Sequence, residues 1–332
     1  MKLKSIHYPH ISSVPEGIKR PLWSVMIPTY NGAMYLEQTL KSVLAQAPGP
    51  EQMQIEVIDD CSTEGDIEEI VNFVGQGRVT FSRNTQNLGL IGNWNACIRH
   101  SIGHWIHILH QDDIVLPGFY QSLQKGIDSE SSIGAAFSRH AFIDEDGHWK
   151  TLSALESKTS GVLTDWLDRI AISQRLQFPS IVVKRSTYER VGGFCAEVHY
   201  AADWEMWKRI AAHFPVWYDP QILACYRMHS KSESSKLVCS GSDIADLRKA
   251  IELAEVYLPP ANAKKLSRQA REYYARFALN AVYRMIMVNE FSAATVQIRE
   301  ALTCSTSAKV LYDILPLLWI FGKRWLTHKS GI

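Results

Sequence analysis

Two adjacent carboxylates, Asp112 and Asp113, directly follow the apolar run from Trp105 to Leu109. Neighbouring carboxylates repel each other unless a positive group lies close to them. A hard divalent cation such as Mg²⁺ or Mn²⁺ binds carboxylate oxygens and often bridges to the phosphates of a substrate. The pair also suits a helix N-cap, where Asp is common. The spacing alone leaves the metal site and the cap as two open interpretations.

A second carboxylate pair, Asp59 and Asp60, lies at the end of the run from Gln54 to Ile58. A carboxylate at a strand end can accept a hydrogen bond from a nucleobase N–H or a ribose hydroxyl. Taken alone, the pair is more typical of a solvated loop or of a cap for the helix that begins near Asp66. The phosphate loops GxGxxG and GxxxxGK(S/T) are absent from the sequence. A metal ion, and not backbone amides, would therefore offset the charge of a phosphorylated ligand.

Asp203 lies in the first turn of an amphipathic helix predicted over 202–213. It shares a helix face with Trp207, four residues later. Partial burial against that ring would raise its pKa towards the range of a general base. The alternative is an acidic first turn that interacts favourably with the helix dipole.

Arg227 and His229 precede a Ser-rich segment, 230–242. A lone His is usually an ordinary surface or core residue. A His beside an Arg that leads into a predicted mobile loop is a better candidate for a lid ordered by substrate.

The elements that must position these residues follow from the apolar pattern. Strands are predicted at 23–27, 54–58, 79–82 and 105–109, with helices around 36–44, 66–74 and 93–101 between them. This alternation predicts a doubly wound, mostly parallel α/β sheet. Such sheets bind ligands at the carboxyl edge of their strands. We therefore expect the polar residues 29–31, 59–60 and 112–113 to line one pocket. After residue 117 the pattern is mixed, with strands predicted at 135–138 and 180–183 and helices from 243 onward.

Composition limits the class of protein. The 332 residues suggest about two domains, and Lys plus Arg (35) nearly balance Asp plus Glu (34). A formal net charge of +1 argues against a nucleic-acid polymer as partner. The sequence has no apolar run near the roughly 20 residues that span a bilayer. Six scattered cysteines without a CxxC pair predict reduced thiols in a cytoplasmic protein.

Six segments, taken in order, resemble the family 2 glycosyltransferases with the GT-A fold. They are SVMIPTYN, IEVIDDCST, NLGLIGNWNACIRHSIGHWIHILHQDD, FPSIVVKRSTYERVGGF, AADWEMWKRIA and YRMHSKSES. The resemblance covers roughly residues 22 to 236. It implies an N-terminal arm (1–21), a GT-A catalytic domain (22–240) and a helical C-terminal region (241–332).

The resemblance also implies roles for individual residues. Asp203 would be the catalytic base, and Asp112 and His229 would bind the metal. Thr29 and Tyr30 would hold the nucleoside, and Asp60 would bind the nucleobase. The full donor set would be Pro28, Thr29, Tyr30, Asn31, Asp60, Asn87, Asn93, Gln111 and Arg227, and the acceptor side would comprise Ser180, Gly193, Phe194 and Trp204.

Four positions depart from the family pattern. His110 stands where the metal motif often begins with Asp, and Ala202 stands where Glu commonly precedes the catalytic Asp. Cys61 replaces a usual Gly, and Cys195 replaces a frequent Asp. These departures affect the ribose contact, the surroundings of the base and the acceptor side, while Asp112 and Asp203 are retained.

The implied activity is a metal-dependent, inverting transfer that uses Mn²⁺ or Mg²⁺. The donor would be a UDP-, dTDP- or GDP-sugar, and the enzyme would be of the hexosyl- or deoxyhexosyltransferase class. The acceptor would be a saccharide or a lipid-linked molecule in the biosynthesis of O-antigen, capsule or exopolysaccharide. One alternative is a non-catalytic nucleotide-sugar-binding or scaffold protein. A sugar-phosphate nucleotidyltransferase would require a Gly- and Arg-rich phosphate loop, which residues 28–32 do not resemble.

The C-terminal tail combines aromatic residues with basic ones from Val310 onward. This composition suits a membrane interface and predicts peripheral association with the cytoplasmic face of the inner membrane. It equally suits a helix that docks on its own domain or on a second subunit. In the second case the protein would be a homodimer.

Overall fold

The computed structural model of the chain describes residues 8–229 and 241–330. These residues form two compact units. The first comprises 8–166, 175–196 and 209–229, and the second comprises 167–174, 197–208 and 241–330. The second unit therefore includes two short segments from within the range 22–240 that the sequence assigns to the catalytic domain.

The sheet of the first unit begins with four parallel strands. They are β1 (Trp23–Thr29), β2 (Met53–Asp59), β3 (Thr80–Arg83) and β4 (Trp105–Ile108), in the order β3-β2-β1-β4. The helices between them are α1 (Ala33–Leu44), α2 (Ile67–Gly75) and α3 (Gly89–His100). All seven residues of β1 are buried, as in strands of a sheet covered on both faces. The predicted alternation of strands and helices is confirmed in this part of the chain.

The remaining strands make the sheet mixed. They are β5 (Ile114–Val115), β6 (Ala135–Ile143), β7 (Trp149–Leu152), β8 (Gly161–Val162), β9 (Ile181–Lys184) and β10 (Val216–Arg227). The helices among them are α4 (Phe119–Ser129), α5 (Trp166–Ile172) and α6 (Arg185–Val191). After β4 the order is β9-β6-β10-β5, with β7 on β6 and β8 on β10. Strand β9 is antiparallel to β4 and β6, whereas β6 and β10 are parallel. The α/β class is as predicted, and the parallel order holds through the first four strands.

Strand β10 is a twelve-residue strand that the sequence pattern does not predict. It contains Pro220, and its register with β6 shifts on both sides of Ile222. Proline cannot donate a ladder hydrogen bond, and bulges interrupt the alternation of inward and outward side chains. The strand nevertheless matters for function, because it ends at Arg227.

The second unit is helical. Its segments 197–208 and 241–330 include the first part of α7 (Ala202–His213), followed by α8 (Ser242–Ala254), α9 (Ala263–Met287), α10 (Phe291–Cys304) and α11 (Ala308–Ser330). Small and aliphatic residues form one core cluster: Ala171, Ala254, Leu258, Ala263 and Leu266. The prediction of helices from residue 243 onward is confirmed for the residues that the structure describes. Among those residues, all helices are too short or too polar to cross a bilayer.

The described part of the N-terminal arm, residues 8–21, has no helix or strand but is fixed to the first unit. Ile11 is buried, and the Arg20 guanidinium donates to the carbonyls of Ile102 and Gly103 at 2.8 Å each. Among the residues that the structure describes, no two cysteines form a disulfide.

Candidate functional site

The loop after β1 is tied to both neighbouring strands of the parallel sheet. The Thr29 carbonyl accepts a hydrogen bond from the Asp60 amide at 2.8 Å. The Gln111 side chain accepts from the Tyr30 amide at 2.9 Å and donates to the Tyr30 carbonyl at 3.2 Å. Gly32 allows this approach, because a Cβ atom there would lie 1.8 Å from Gln111 Oε1. The ends of β1, β2 and β4 therefore meet at one edge, as the sequence predicts.

Asn31 fixes the loop after β1 to the loop after β2. Its backbone is left-handed, with φ of 51°, a conformation that Asn tolerates better than most residues. Its amide donates to Ser62 Oγ at 2.8 Å. Its side-chain oxygen accepts from the amides of Thr63 and Glu64 at 2.8 and 3.1 Å. Asn31 thus organises this edge through its backbone and its side-chain oxygen.

The two carboxylates after β2 have different surroundings. Asp59 is buried and accepts a 2.7 Å ion-pair contact from Arg83 Nε. Asp60 Oδ1 accepts from Asn84 Nδ2 and from the Leu88 amide, both at 2.8 Å. Among the described residues, Asp60 Oδ2 has no hydrogen-bond partner. Asp59 therefore has a structural role, while Asp60 keeps one oxygen for a ligand donor.

Cys61 has a left-handed backbone with φ of 62°. Residues with a Cβ atom are strained in this conformation by roughly 1–2 kcal/mol. Its thiol donates to the Asn84 carbonyl at 3.1 Å. The local turn is therefore the same one that Gly would adopt, and the thiol compensates for part of its cost.

We expect Cys61→Gly to be more stable than Cys61→Ala by about 1 kcal/mol, because both variants lose the thiol and only Gly relieves the left-handed strain. Urea unfolding of the two variants measures this difference directly. Equal unfolding free energies would contradict the assignment of strain to this residue.

Asp112 follows β4 and lies beside His229. His229 Nε2 and Asp112 Oδ2 are 2.8 Å apart, and the two side chains are only 14% and 22% exposed. The neighbouring Asp113 is fully enclosed, and its Oδ1 accepts from the Arg227 amide at 2.9 Å. Burial, and secondarily the charge of Asp112, raise the pKa of Asp113 well above its usual range. The structure therefore brings together the two residues predicted to bind a metal.

The possible metal ligands at this edge fit a hard divalent cation. Ligand atoms of His110, Asp112 and Asp113 lie within 4.8 Å of one another. Asp113 Oδ2 and His110 Nε2 are buried without a hydrogen-bond partner among the described residues. Burial lowers the pKa of His110 to about 4, so its ring is neutral at pH 7. Carboxylates and neutral imidazole are suitable ligands for Mn²⁺, and carboxylates for Mg²⁺.

The Arg227 guanidinium is buried beneath the same edge. Its Nε donates to the Asp112 carbonyl at 2.9 Å, and its Nη2 donates to Gln38 Oε1 at 2.9 Å. Its Nη1 donates to the carbonyls of Asp144 and Glu145 at 3.2 and 2.9 Å. Four N–H groups are thus directed at protein acceptors. These hydrogen bonds hold the loops of the edge together, and the donor contact predicted for this side chain stays a prediction.

Asp203 belongs to the second unit. Its Oδ2 accepts from Gln174 Nε2 and its Oδ1 from the Trp204 amide, both at 2.6 Å. The backbone amide of Gln174 donates to the Tyr274 hydroxyl at 2.9 Å. Burial raises the pKa of Asp203 to about 7, although these hydrogen bonds act in the opposite direction. A carboxyl group with this pKa can exchange a proton near neutral pH, as a general base must.

The four residues predicted to contact the acceptor are all buried. Ser180 Oγ donates to the Gln177 carbonyl, and Trp204 Nε1 donates to the Ile170 carbonyl. The Asn95 side chain bonds to both the amide and the carbonyl of Phe194. Packing and internal hydrogen bonds engage these side chains in the structure, and the acceptor contacts of Ser180, Gly193, Phe194 and Trp204 stay predictions.

Three predicted donor residues are also buried. Pro28 and Thr29 lie within β1, and Thr29 Oγ1 contacts the Ile27 carbonyl. The Asn93 amide donates to the Ile58 carbonyl and accepts from Asn84, both at 3.1 Å. The side-chain polar atoms of Thr29 and Asn93 bond within the protein, and the donor contacts predicted for these three residues stay predictions. Tyr30, Asn31, Asn87 and Gln111 are partly or largely exposed, and their donor contacts stay predictions.

Several residues at the edge are missed by sequence reasoning. Tyr35 lies between Arg227 and His229, 4.5 Å from the Arg227 guanidinium carbon and 5.6 Å from the His229 ring. As part of α1, it reads only as an apolar core position. Arg83 ends β3 and Asn84 follows it, so both lie at the carboxyl end of a strand, as the predicted residues do. That shared position is the signal that could have identified them.

Comparison with known proteins agrees with this geometry. Residues 24–186 match the family model described as glycosyl transferase family 2. The chain is 26% identical over 243 residues to an uncharacterised protein of Mycobacterium tuberculosis. The aligned region covers 70% of this chain and 75% of that protein. It is 26% identical over 233 residues to an uncharacterised glycosyltransferase of Rickettsia felis, covering 67% of this chain and 37% of that protein.

Solved structures share the fold. Residues 1–349 of TarS from S. aureus, in complex with UDP-GlcNAc, give a TM-score of 0.65 at 14% identity, with 93% of this chain and 92% of that chain covered. The mannosyltransferase PcManGT from Pyrobaculum calidifontis, in complex with GDP-Man and Mn²⁺, gives a TM-score of 0.56 at 16% identity, with 95% and 87% covered.

Proposed function

We propose that this chain, which belongs to glycosyl transferase family 2 through residues 24–186, transfers a sugar from a nucleotide-diphosphate donor to an acceptor hydroxyl. Its architecture is the GT-A fold with a helical C-terminal region. One observation carries the proposal: the ends of the parallel strands bring Asp60, whose Oδ2 has no hydrogen-bond partner among the described residues, to the same edge as Asp112 and His229.

The residues of the edge divide into two proposed roles. Asp60 Oδ2 accepts a hydrogen bond from the nucleobase, and the exposed Tyr30 covers the nucleoside. Asp112, with His229 beside it and His110 and Asp113 close by, would hold Mn²⁺ or Mg²⁺ on the donor diphosphate. When bound, the cation would stabilise the negative charge of the departing diphosphate. Arg227 acts as a positioning residue that keeps the Asp112 backbone in place.

Asp203 is the proposed base that removes the proton from the acceptor hydroxyl. Its raised pKa, near 7, supports this role, as does a hydrogen bond from Gln174 that fixes one oxygen of the carboxylate. Attack by the activated hydroxyl in a single displacement would invert the anomeric centre. An acceptor in surface polysaccharide assembly, saccharide or lipid-linked, is part of the same proposal.

Thermal unfolding in the presence of UDP-, dTDP- and GDP-sugars, each with Mn²⁺ or with EDTA, tests the donor site. A ligand at 100 times its Kd stabilises the folded state by about 2.7 kcal/mol. We expect one nucleotide to raise the Tm by a few degrees, and we expect EDTA to remove most of that rise. The absence of a shift with all three nucleotides would contradict the proposal.

A further inference from the structure

Helix α11 carries a stripe of exposed apolar side chains. The stripe consists of Leu311, Tyr312, Leu315, Leu318, Trp319 and Trp325, which recur at helical spacing and are between 39% and 77% exposed. On the opposite side of the helix, Val310, Ile314 and Leu317 are buried. The buried side already supplies the packing of α11 within its unit. We call the exposed stripe the apolar face.

The apolar face continues onto the neighbouring helix α9. Tyr283 of α9 and Tyr312 of α11 line one groove, together with Tyr273. These tyrosines are each at least 46% exposed, and Met287 at the end of α9 is 44% exposed. Large exposed apolar patches on soluble proteins usually mark a surface that binds a partner. Both helices therefore contribute to one such surface.

Basic residues accompany the apolar face. Lys323 Nζ lies 4.8 Å above the Trp319 ring. Arg324 donates to the carbonyls of Ile286 and Met287, at the end of α9. Asp313, the last acidic residue of the chain, forms a 2.6 Å ion pair with Arg276.

The charge of the whole C-terminal segment has the same sign. Residues 241–332 contain thirteen Lys and Arg against eight Asp and Glu, whereas residues 1–240 contain 22 against 26. The near-neutral total thus conceals a basic C-terminal region and a slightly acidic remainder. Positive charge combined with exposed Trp and Tyr is typical of a surface that meets a membrane interface.

We propose that the apolar face of α11 lies on an anionic lipid bilayer, with α11 parallel to the membrane plane. The stripe extends from Leu311 to Trp325, which are about 21 Å apart along the helix at 1.5 Å per residue, and amphipathic helices of this kind insert their apolar side at the level of the lipid headgroups. A second copy of the chain is the less suitable occupant. A symmetric contact through α11 would bring like basic charges together, whereas anionic lipid supplies the opposite charge.

Sedimentation of the full chain with lipid vesicles tests this proposal. One vesicle preparation contains phosphatidylcholine alone, and the other contains 30% phosphatidylglycerol. We expect binding to the anionic vesicles at low salt, weaker binding at 0.5 M NaCl, and little binding to phosphatidylcholine alone. The double variant Leu315→Glu/Trp319→Glu should lower the fraction bound at least tenfold. Lys323→Gln should weaken binding to the anionic vesicles only.

Val256→Glu is the control, because it introduces one carboxylate, of the same type as each substitution in the double variant, at an apolar side chain that is 59% exposed and lies outside α9 and α11. It should bind vesicles as the parent chain does, and circular dichroism should show all variants folded. No binding by the parent chain would overturn the proposal, as would equal binding by the double variant. A parent chain that is dimeric in solution without vesicles, and a double variant that is monomeric, would assign the face to a second copy. Because the assay contains no donor sugar, its failure would leave the transferase proposal intact.

Discussion

Replacing Asp203 with Asn should lower the rate of sugar transfer by a factor of about 10²–10⁴, the usual contribution of a general base, with donor affinity unchanged. Asn has nearly the same shape and can accept one of the two hydrogen bonds that the carboxylate receives from Gln174 Nε2 and the Trp204 amide. It cannot take a proton from the acceptor hydroxyl. Initial rates with saturating donor and acceptor, together with donor affinity from calorimetry, separate the two effects.

The pH dependence follows from the raised pKa of Asp203. The base must be deprotonated, so transfer by the parent enzyme should increase with pH and level off above about 7. The residual activity of Asp203→Asn should lack this limb. Rate profiles between pH 5 and 9, at saturating substrate, measure both.

The free energy of unfolding should depend on pH in the opposite direction to the transfer rate. The pKa of Asp203 is about 7 in the folded chain, whereas the ordinary pKa of an Asp side chain is 3.8, so between these values the folded chain binds more protons than the unfolded chain. Its contribution to stability is therefore lost as pH rises through this window. Because Asn carries no charge at any pH, the unfolding temperature of Asp203→Asn should lack the fall that the parent shows between about pH 4 and pH 8. An equal fall in both chains would contradict a raised pKa at Asp203.

Asp168→Asn is the matched control for these measurements. Asp168 lies on α5, is exposed, and has no proposed role in the reaction. Its variant should keep the parent's rate, pH profile and stability. A fully active Asp203→Asn enzyme would exclude Asp203 as the base. A chain that binds donor but transfers no sugar under any condition would support the non-catalytic alternative.

Asp112→Asn should remove the metal dependence of donor binding. The Asp112 carboxylate is central to the group of possible metal ligands at the end of β4. A bound cation stabilises the charge of a diphosphate by several kcal/mol. We expect donor affinity in Mn²⁺ to fall by roughly 10²-fold or more, to the level that the parent chain shows in EDTA. Calorimetric titration with the donor identified by thermal unfolding gives the affinities, and the electron paramagnetic resonance signal of free Mn²⁺ reports metal binding directly.

Asp146→Asn is the control for Asp112. It removes a carboxylate from the exposed turn after β6, which lies in a second cluster of Asp144, Asp146 and His148. In that cluster Lys150 Nζ already contacts Asp144 at 2.6 Å, which disfavours a cation there. Asp146→Asn should therefore bind Mn²⁺ and donor as the parent does. If metal-dependent donor binding survives in Asp112→Asn and is lost in Asp146→Asn, the metal binds at the second cluster and the proposed role of Asp112 is wrong.

Much of the first half of the fold can be predicted from local pattern. Strands β1, β2 and β4 are short apolar runs because parallel strands are covered on both faces. Their ends are marked by polar residues, so the sequence also places Asp60 and Asp112 at one edge. Strand β10 escapes prediction because Pro220 and two register shifts interrupt its pattern. The helices of the second unit are predicted as a group, from their composition and periodicity.

The sequence by itself determined the class of fold and the carboxylates Asp60, Asp112 and Asp203, because these depend on residue type and on position along a strand or helix. Only the tertiary structure decided which polar groups serve the protein and which remain open to a ligand. Arg227, Asn93 and Ser180 have the chemistry of ligand-binding residues, but their hydrogen bonds are made to backbone and side-chain groups distant in sequence. Burying a polar group is costly unless such a partner exists, and the partner becomes visible only when the chain is folded.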